Sequence, residues 1–147
     1  GQSAKYMVKQ LMDFKSGDRP SPTMSAMVLS LSEQDMQDIA AWSASQEVTL
    51  EGADLDSLEL AETLYRAGNK ELSVAACSAC HSPTGQGNDP AGFPSLSGQH
   101  AEYTLMQLKS FRAGDRDNDD SAMMRTTVER LTDKELEALA SYVSGLN

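Results

Sequence analysis

Residues 1–19 read GQSAKYMVKQLMDFKSGDR, and residues 98–116 read GQHAEYTLMQLKSFRAGDR. At an offset of 97, ten of the nineteen positions are identical. After a three-residue slip the similarity resumes, and residues 24–45 match residues 124–145 at an offset of 100. An internal repeat of this length indicates that one structural unit occurs twice in the chain.

The two copies of the repeat are unequal. Residues 56–97 precede the GQ motif of the second copy, whereas the GQ motif of the first copy opens the chain. We therefore expect residues 1–46 to be the C-terminal part of a first domain whose front half is absent. Residues 47–55 are expected to form a polar linker, and residues 56–147 to form a complete domain.

Helical patterning extends through both copies and predicts an all-α fold. Ser32 with Asp35, and Thr132 with Glu135, form the Ser/Thr-x-x-acid pattern that begins a helix. Pro and Gly cluster in residues 82–98, which predicts an irregular loop. Glycines that are expected to end helices occur at Gly17, Gly68, Gly114 and Gly145.

The charge balance excludes one class of partner. The 147 residues carry 12 basic and 22 acidic side chains, for a formal net charge of −10. Nucleic-acid binding needs a basic face, so we do not expect a nucleic-acid partner. An acidic surface instead favours transient docking on a basic patch of another protein.

The segment CSACH at residues 77–81 contains both cysteines of the chain. Cys-x-x-Cys-His is the attachment signature of haem c, in which Cys77 and Cys80 form thioethers and His81 ligates the iron. A zinc site would need four ligands, and the chain offers only Cys77, Cys80, His81 and His100 as soft ones, with the adjacent ligands at 80 and 81 fitting such a site poorly. A thioredoxin-like pair lacks its βαβ context, and a disulfide across two residues would be strained.

A haem iron also has a sixth position, which a Met fills in many electron-transfer centres. Of the eight Met residues, only Met24 and Met124 occupy the same place in both copies. We therefore predict Met124 as the axial ligand, with Met123 as the alternative, and Met24 as the iron ligand of a second haem. His100 has no counterpart in the first copy and is expected to be a surface or haem-edge residue.

The acidic run at residues 115–120 resembles the opening of a calcium-binding loop. It has Asp120 where such a loop requires Gly, and Thr126 where it requires Glu. We interpret the run as a solvated acidic loop.

The chain resembles the cytochrome c4 family, the two-domain dihaem cytochromes of bacterial periplasms. The resemblance covers residues 1–46 and 56–147. It is carried by ACSACHSPTGQGN (76–88), FPSLSGQHAEY (93–103), QLKSFRAGDR (107–116), Met124 and LTDKELEALASYVSGL (131–146).

The resemblance implies tandem class I cytochrome c-like domains, of which the first is incomplete here because residues 1–46 contain no Cys-x-x-Cys-His. It implies one haem c on residues 56–147 and a second haem in the intact first domain. It also implies that the carbonyl of Pro94 accepts the ring N–H of His81, and that Tyr103 and Gln99 lie near the haem edge.

The function that the resemblance implies is single-electron transfer in the periplasm, between a quinol-oxidising complex and a terminal oxidase. The expected partners are redox proteins, including membrane-bound respiratory complexes, and such a complex would associate the protein peripherally with the inner membrane. No small-molecule substrate is expected. One alternative is the dihaem cytochrome subunit of a larger oxidoreductase, such as a flavocytochrome sulfide dehydrogenase. A haem enzyme of the peroxidase type is a third reading, and it requires an open sixth position on the iron.

Overall fold

A computed structural model describes residues 1–147 and contains eight α-helices, two 3₁₀ turns and no extended strand. The all-α prediction is therefore confirmed. None of the helices combines the length and the apolar character that a membrane span requires. The helices are α1 (Ala4–Ser16), α2 (Pro22–Val28), α3 (Glu33–Ala44), α4 (Leu58–Ala67), α5 (Ser78–His81), α6 (Ala101–Ala113), α7 (Met123–Val128) and α8 (Asp133–Ser144).

The predicted helix boundaries follow from local capping. Ser32 and Asp35 form a complete capping box at the start of α3, and Thr132 and Glu135 form another at the start of α8. In each box the hydroxyl and the carboxylate together satisfy backbone N–H groups that have no partner within the helix. Gly17 ends α1 in the left-handed conformation that glycine adopts without steric cost.

The internal repeat is also visible in the packing of the helices. In the first copy α1 packs against α2 and α3, and in the second copy α6 packs against α7 and α8. Helix α8 additionally packs against α4. Leu139 and Tyr142 of α8 are buried, whereas their counterparts Ile39 and Trp42 on α3 are 39% and 67% exposed.

The apolar core is correspondingly divided. A cluster of thirteen buried residues lies within residues 61–146, and Tyr65 at its centre is fully buried against the ring of Tyr142, 5.4 Å away between centroids. A smaller cluster in the first copy consists of Leu11, Val28 and Met36. Most of the burial that stabilises the chain therefore lies in its second part.

Two buried arginines join the two copies of the repeat, and each is 7% exposed. Arg19 and Arg116 occupy equivalent positions in the repeat. Their guanidinium carbons lie over the rings of Phe14 and Phe111, at 4.6 and 4.3 Å from the ring centroids. Each donates to both copies: Arg19 to Gln10, Tyr103 and Gln107, and Arg116 to Gln107, Tyr6 and Gln10, all at 2.7–3.0 Å. We call these six polar residues the arginine seam.

Removal of either tyrosine hydroxyl from the arginine seam should destabilise the protein. Tyr103→Phe takes one acceptor from Arg19, and Tyr6→Phe takes one from Arg116. Hydrogen bonds to charged groups are worth about 1.5–3 kcal/mol, so we expect each variant to lose about 1–2 kcal/mol in urea unfolding. Because the two arginines share Gln10 and Gln107, the double variant should lose an amount that differs from the sum. Additive losses would contradict a shared network.

Candidate functional site

The Cys-x-x-Cys-His segment forms a single helical turn, α5. The amide of His81 donates to the carbonyl of Cys77 at 2.9 Å, and the amide of Cys80 donates to the same carbonyl at 3.2 Å. Both cysteines are free thiols and are partly buried. Burial raises the pKa of Cys77 to about 11, so its thiol is protonated at neutral pH. The turn thus brings two thiols and one imidazole together.

His81 is held in one orientation by the backbone. Its side chain is buried, and Nδ1–H donates to the carbonyl oxygen of Pro94 at 2.9 Å. Burial lowers the pKa of His81, and the bond to Pro94 opposes that shift only in part. The ring is therefore neutral, with Nδ1 occupied and the lone pair of Nε2 available to a metal, which is the usual arrangement of a ligating histidine.

The carbonyl of Pro94 is positioned by the irregular loop at residues 82–98. The amide of Gly87 donates to the carbonyl of His81 at 2.9 Å, and Gly87 has φ +75°. A Cβ at Gly87 would lie 2.5–2.6 Å from the carbonyl oxygen of Phe93 and from the carbonyl group of Pro94. The loop therefore passes directly over the bond between His81 and Pro94, at a distance that only glycine allows.

The carbonyl of Gly85 accepts hydrogen bonds from three residues in the rest of this loop. Gly85 accepts hydrogen bonds from the amides of Leu96 and Ser97 at 2.6 and 2.9 Å, and from the hydroxyl of Ser95 at 3.2 Å. The predicted irregular loop is thus ordered by its own backbone contacts.

Met124 lies on the short helix α7. It is partly buried and packs against the same core cluster as Cys77, whereas Met123 is 42% exposed. Met24, its counterpart, lies on α2 and packs against the smaller cluster of the first copy. Burial against the core of the cysteine turn favours Met124 over Met123 as a ligand, which stays a prediction.

The start of α7 is held by a buried carboxylate. Asp119 accepts from the amide of Arg125 at 3.0 Å and from Nε of the same residue at 2.8 Å. Burial alone would raise the pKa of Asp119, but these hydrogen bonds hold it below its ordinary value. The ionised carboxylate therefore stabilises the helix that carries Met124.

Asp119→Asn should lower the free energy of unfolding by about 1–2 kcal/mol at pH 7, since charged hydrogen bonds are worth more than neutral ones. The pKa of Asp119 is lower in the folded state, so its contribution is present above the unfolded pKa of about 3.9 and is lost as the pH falls through the folded pKa. In urea unfolding measured between pH 7 and pH 3, the free energy of unfolding of the wild type should approach that of the variant as the pH falls. Asp120→Asn, at an exposed neighbour, is the control, and a gap that persists at low pH would contradict the assignment.

The remaining predicted residues make their contacts outside the cysteine turn. The hydroxyl of Tyr103 accepts from Arg19 at 2.8 Å, and Oε1 of Gln99 accepts from the amide of His100 at 3.0 Å. His100 is exposed, and its Nδ1 lies 2.9 Å from a carboxylate oxygen of Glu51. The structure therefore brings Cys77, Cys80, His81 and Pro94 together and places Tyr103 in the arginine seam.

The predicted acidic loop lines an open cavity of about 770 Å³ between the two copies. No group of three or more His, Cys, Asp or Glu side chains is placed to hold a metal ion. The acidic lining residues are Asp13, Asp18, Asp115, Asp117, Asp119 and Asp120.

Sequence patterns at a single site do not reveal the contacts between the two copies. A signal was nevertheless present, because Gln2, Tyr6, Gln10 and Arg19 are among the positions that are identical in both copies. Each arginine of the seam donates to residues of both copies, so the same polar residues are needed at these positions in each copy.

The donor set fits a covalently bound haem. The two free thiols can form thioethers, the Nε2 lone pair of His81 can ligate iron, and Met124 supplies a thioether on the same core. These contacts therefore agree with the residue types that such a group requires.

Comparison with known proteins gives a consistent picture. The family model described as cytochrome c matches residues 65–147. Cytochrome c4 of Azotobacter vinelandii is 42% identical, and the match covers 100% of this chain and 75% of that protein. The thiosulfate dehydrogenase electron acceptor of Stutzerimonas stutzeri is 36% identical over 99% of this chain and 68% of its own length. The crystal structure of reduced recombinant cytochrome c4 from Pseudomonas stutzeri superimposes with a TM-score of 0.96 at 43% identity, covering 100% of this chain and 83% of that one.

Proposed function

Because this chain belongs to the cytochrome c4 family of electron carriers, we propose that it carries single electrons in the periplasm from a quinol-oxidising complex to a terminal oxidase. The observation that carries the proposal is the turn of Cys77, Cys80 and His81, whose imidazole is neutral, buried and fixed by Pro94. A periplasmic location is consistent with thioether attachment of haem, which takes place outside the bacterial cytoplasm.

Each residue of the turn has a separate task. Cys77 and Cys80 would anchor the haem, and His81 and Met124 would ligate its iron. A bound haem c supplies an iron centre that gains and loses one electron. The chain itself holds both ligands in place, through the bond from His81 to Pro94 and through the contacts of Asp119 with α7.

The surface is suited to transient docking on a basic partner. The formal net charge is −10, and six aspartates and one lysine line the cavity between the two copies. Attraction between opposite charges accelerates encounter and is screened by salt. The proposed partners are therefore redox proteins with basic docking faces, including membrane-bound respiratory complexes.

We also propose the domain division at residues 1–46, 47–55 and 56–147, with a second haem in the first domain. Met24 is the counterpart of Met124, and the apolar side chains of Ile39 and Trp42 are exposed where α8 is covered by α4. These features support a first domain built like the second. A haem-to-protein ratio measured on the native protein tests the second haem.

A second candidate is a cytochrome that accepts electrons directly from an oxidoreductase of sulfur compounds. The similarity to a protein named as a thiosulfate dehydrogenase electron acceptor favours this class of donor. The dihaem subunit of a flavocytochrome sulfide dehydrogenase is the related alternative. Purification of the native protein, alone or with a flavin-containing partner, separates the two.

Two measurements on the holoprotein test the proposal. The reduced spectrum should not change under carbon monoxide at neutral pH, and the electron-transfer rate to a basic redox partner should fall as salt rises. Binding of carbon monoxide by the native protein would favour a haem enzyme of the peroxidase type. A rate that is independent of salt would contradict docking through the acidic surface.

A further inference from the structure

Gln2 forms a contact that reaches from the first copy of the repeat into the haem site of the second. Its Nε2 donates to the carbonyl of Ser95 at 2.9 Å, and its Oε1 accepts from the amide of Ser95 at 2.8 Å. A side-chain amide that pairs with both backbone groups of one residue holds that residue much as a neighbouring strand would. The side chain is partly buried, so water competes less for these bonds.

The residue that Gln2 holds is the neighbour of Pro94. The amide of Ser95 belongs to the same peptide group as the carbonyl of Pro94, and that carbonyl accepts from Nδ1–H of His81 at 2.9 Å. Because a peptide group is planar, fixing the N–H fixes the direction of the C=O on its other side. Gln2 therefore holds the direction of the acceptor that orients His81.

Other contacts of the first copy reach the same loop at a different place. Ser3 donates to the carboxylate of Asp89, and Nζ of Lys5 donates to the carbonyl of Pro90 at 2.7 Å. These two contacts dock the copies without touching the Pro94 peptide. They provide an internal comparison between docking alone and control of His81.

We propose that Gln2 is a positioning residue through which the first copy of the repeat sets the electron affinity of the iron bound by His81 in the second. The inference rests on the proposed function, in which His81 is an axial ligand. A strong hydrogen bond from Nδ1–H makes the imidazole a more basic ligand, which favours the oxidised iron. Loosening the Pro94 peptide weakens that bond and raises the reduction potential.

The test is Gln2→Met in the holoprotein, which keeps the length of the side chain and its charge. It removes both hydrogen bonds to Ser95 and the one that Gln2 accepts from the Ser3 amide. We expect solvent exchange of the His81 Nδ1 proton and of the Ser95 amide, measured by NMR, to accelerate about tenfold. The redox equilibrium constant should shift about threefold towards the reduced form, or about 28 mV at 59 mV per tenfold. Gln2→Glu keeps the acceptor for the Ser95 amide, so its exchange rates should lie between those of the wild type and Gln2→Met.

Ser3→Ala is the matched control, because it removes a docking contact, together with the hydroxyl that caps α1 at Tyr6, and keeps the bonds between Gln2 and Ser95. An equal change of potential in Ser3→Ala would overturn the proposal in favour of general loosening between the copies. Unchanged proton exchange and potential in Gln2→Met would also overturn it. A native protein that binds carbon monoxide would instead refute the proposed function, so the two failures are distinguishable.

Discussion

Met124→Ala should let the reduced protein bind carbon monoxide and should lower its reduction potential by about 0.1 V or more. Axial ligands move haem potentials over a range of about 0.8 V, and a Met ligand lies at the high end of that range. Without the side-chain sulfur of Met124, water would take the sixth position, and water stabilises the reduced iron less well. Spectra under carbon monoxide and a redox titration measure the two effects.

Two other methionines make this experiment specific. Met123 precedes Met124 on the chain and is 42% exposed, so Met123→Ala tests the alternative ligand. Met106 on α6 is 56% exposed and is not a candidate ligand, so Met106→Ala controls for loss of any methionine. Carbon monoxide binding by the Met123 variant, with none by the Met124 variant, would reverse the assignment.

The helices with strong local signals could be predicted from the sequence, and the short ones could not. The start of α3 and that of α8 are encoded by capping boxes within four residues. Helices α2 and α7 have seven and six residues, which is too short for an apolar period to be recognised. Helix α7 moreover follows Ala122 in the left-handed conformation, which alanine rarely adopts.

The candidate site likewise contains some residues that could be predicted from the sequence and some that could not. Cys77, Cys80 and His81 lie within one helical turn, so their spacing alone indicates the chemistry. The role of Pro94 was implied by resemblance, and the structure contains the expected bond to His81. The contact of Gln2 with Ser95 joins residues that are 93 positions apart, and such a contact depends on how the two copies meet. No local pattern encodes that arrangement.

Gly87→Ala should destabilise the holoprotein by about 2–4 kcal/mol and raise its reduction potential. Alanine pays about 1 kcal/mol or more for the left-handed conformation at φ +75°. Its Cβ would also lie 2.5–2.6 Å from the carbonyls of Phe93 and Pro94, and overpacking typically costs about 1–3 kcal/mol. Urea unfolding and a redox titration measure the two effects.

Gly92→Ala separates conformation from contact in the same loop. Gly92 has φ +78°, and a Cβ there would have no atom within 4 Å. Its replacement should cost only the conformational part, about 1 kcal/mol, and should leave the potential unchanged. The difference between the two variants therefore measures how closely Gly87 approaches the Pro94 carbonyl. Equal losses in both variants would mean that Gly87 is required only by the turn, whereas a larger loss together with a raised potential ties this glycine to the orientation of His81.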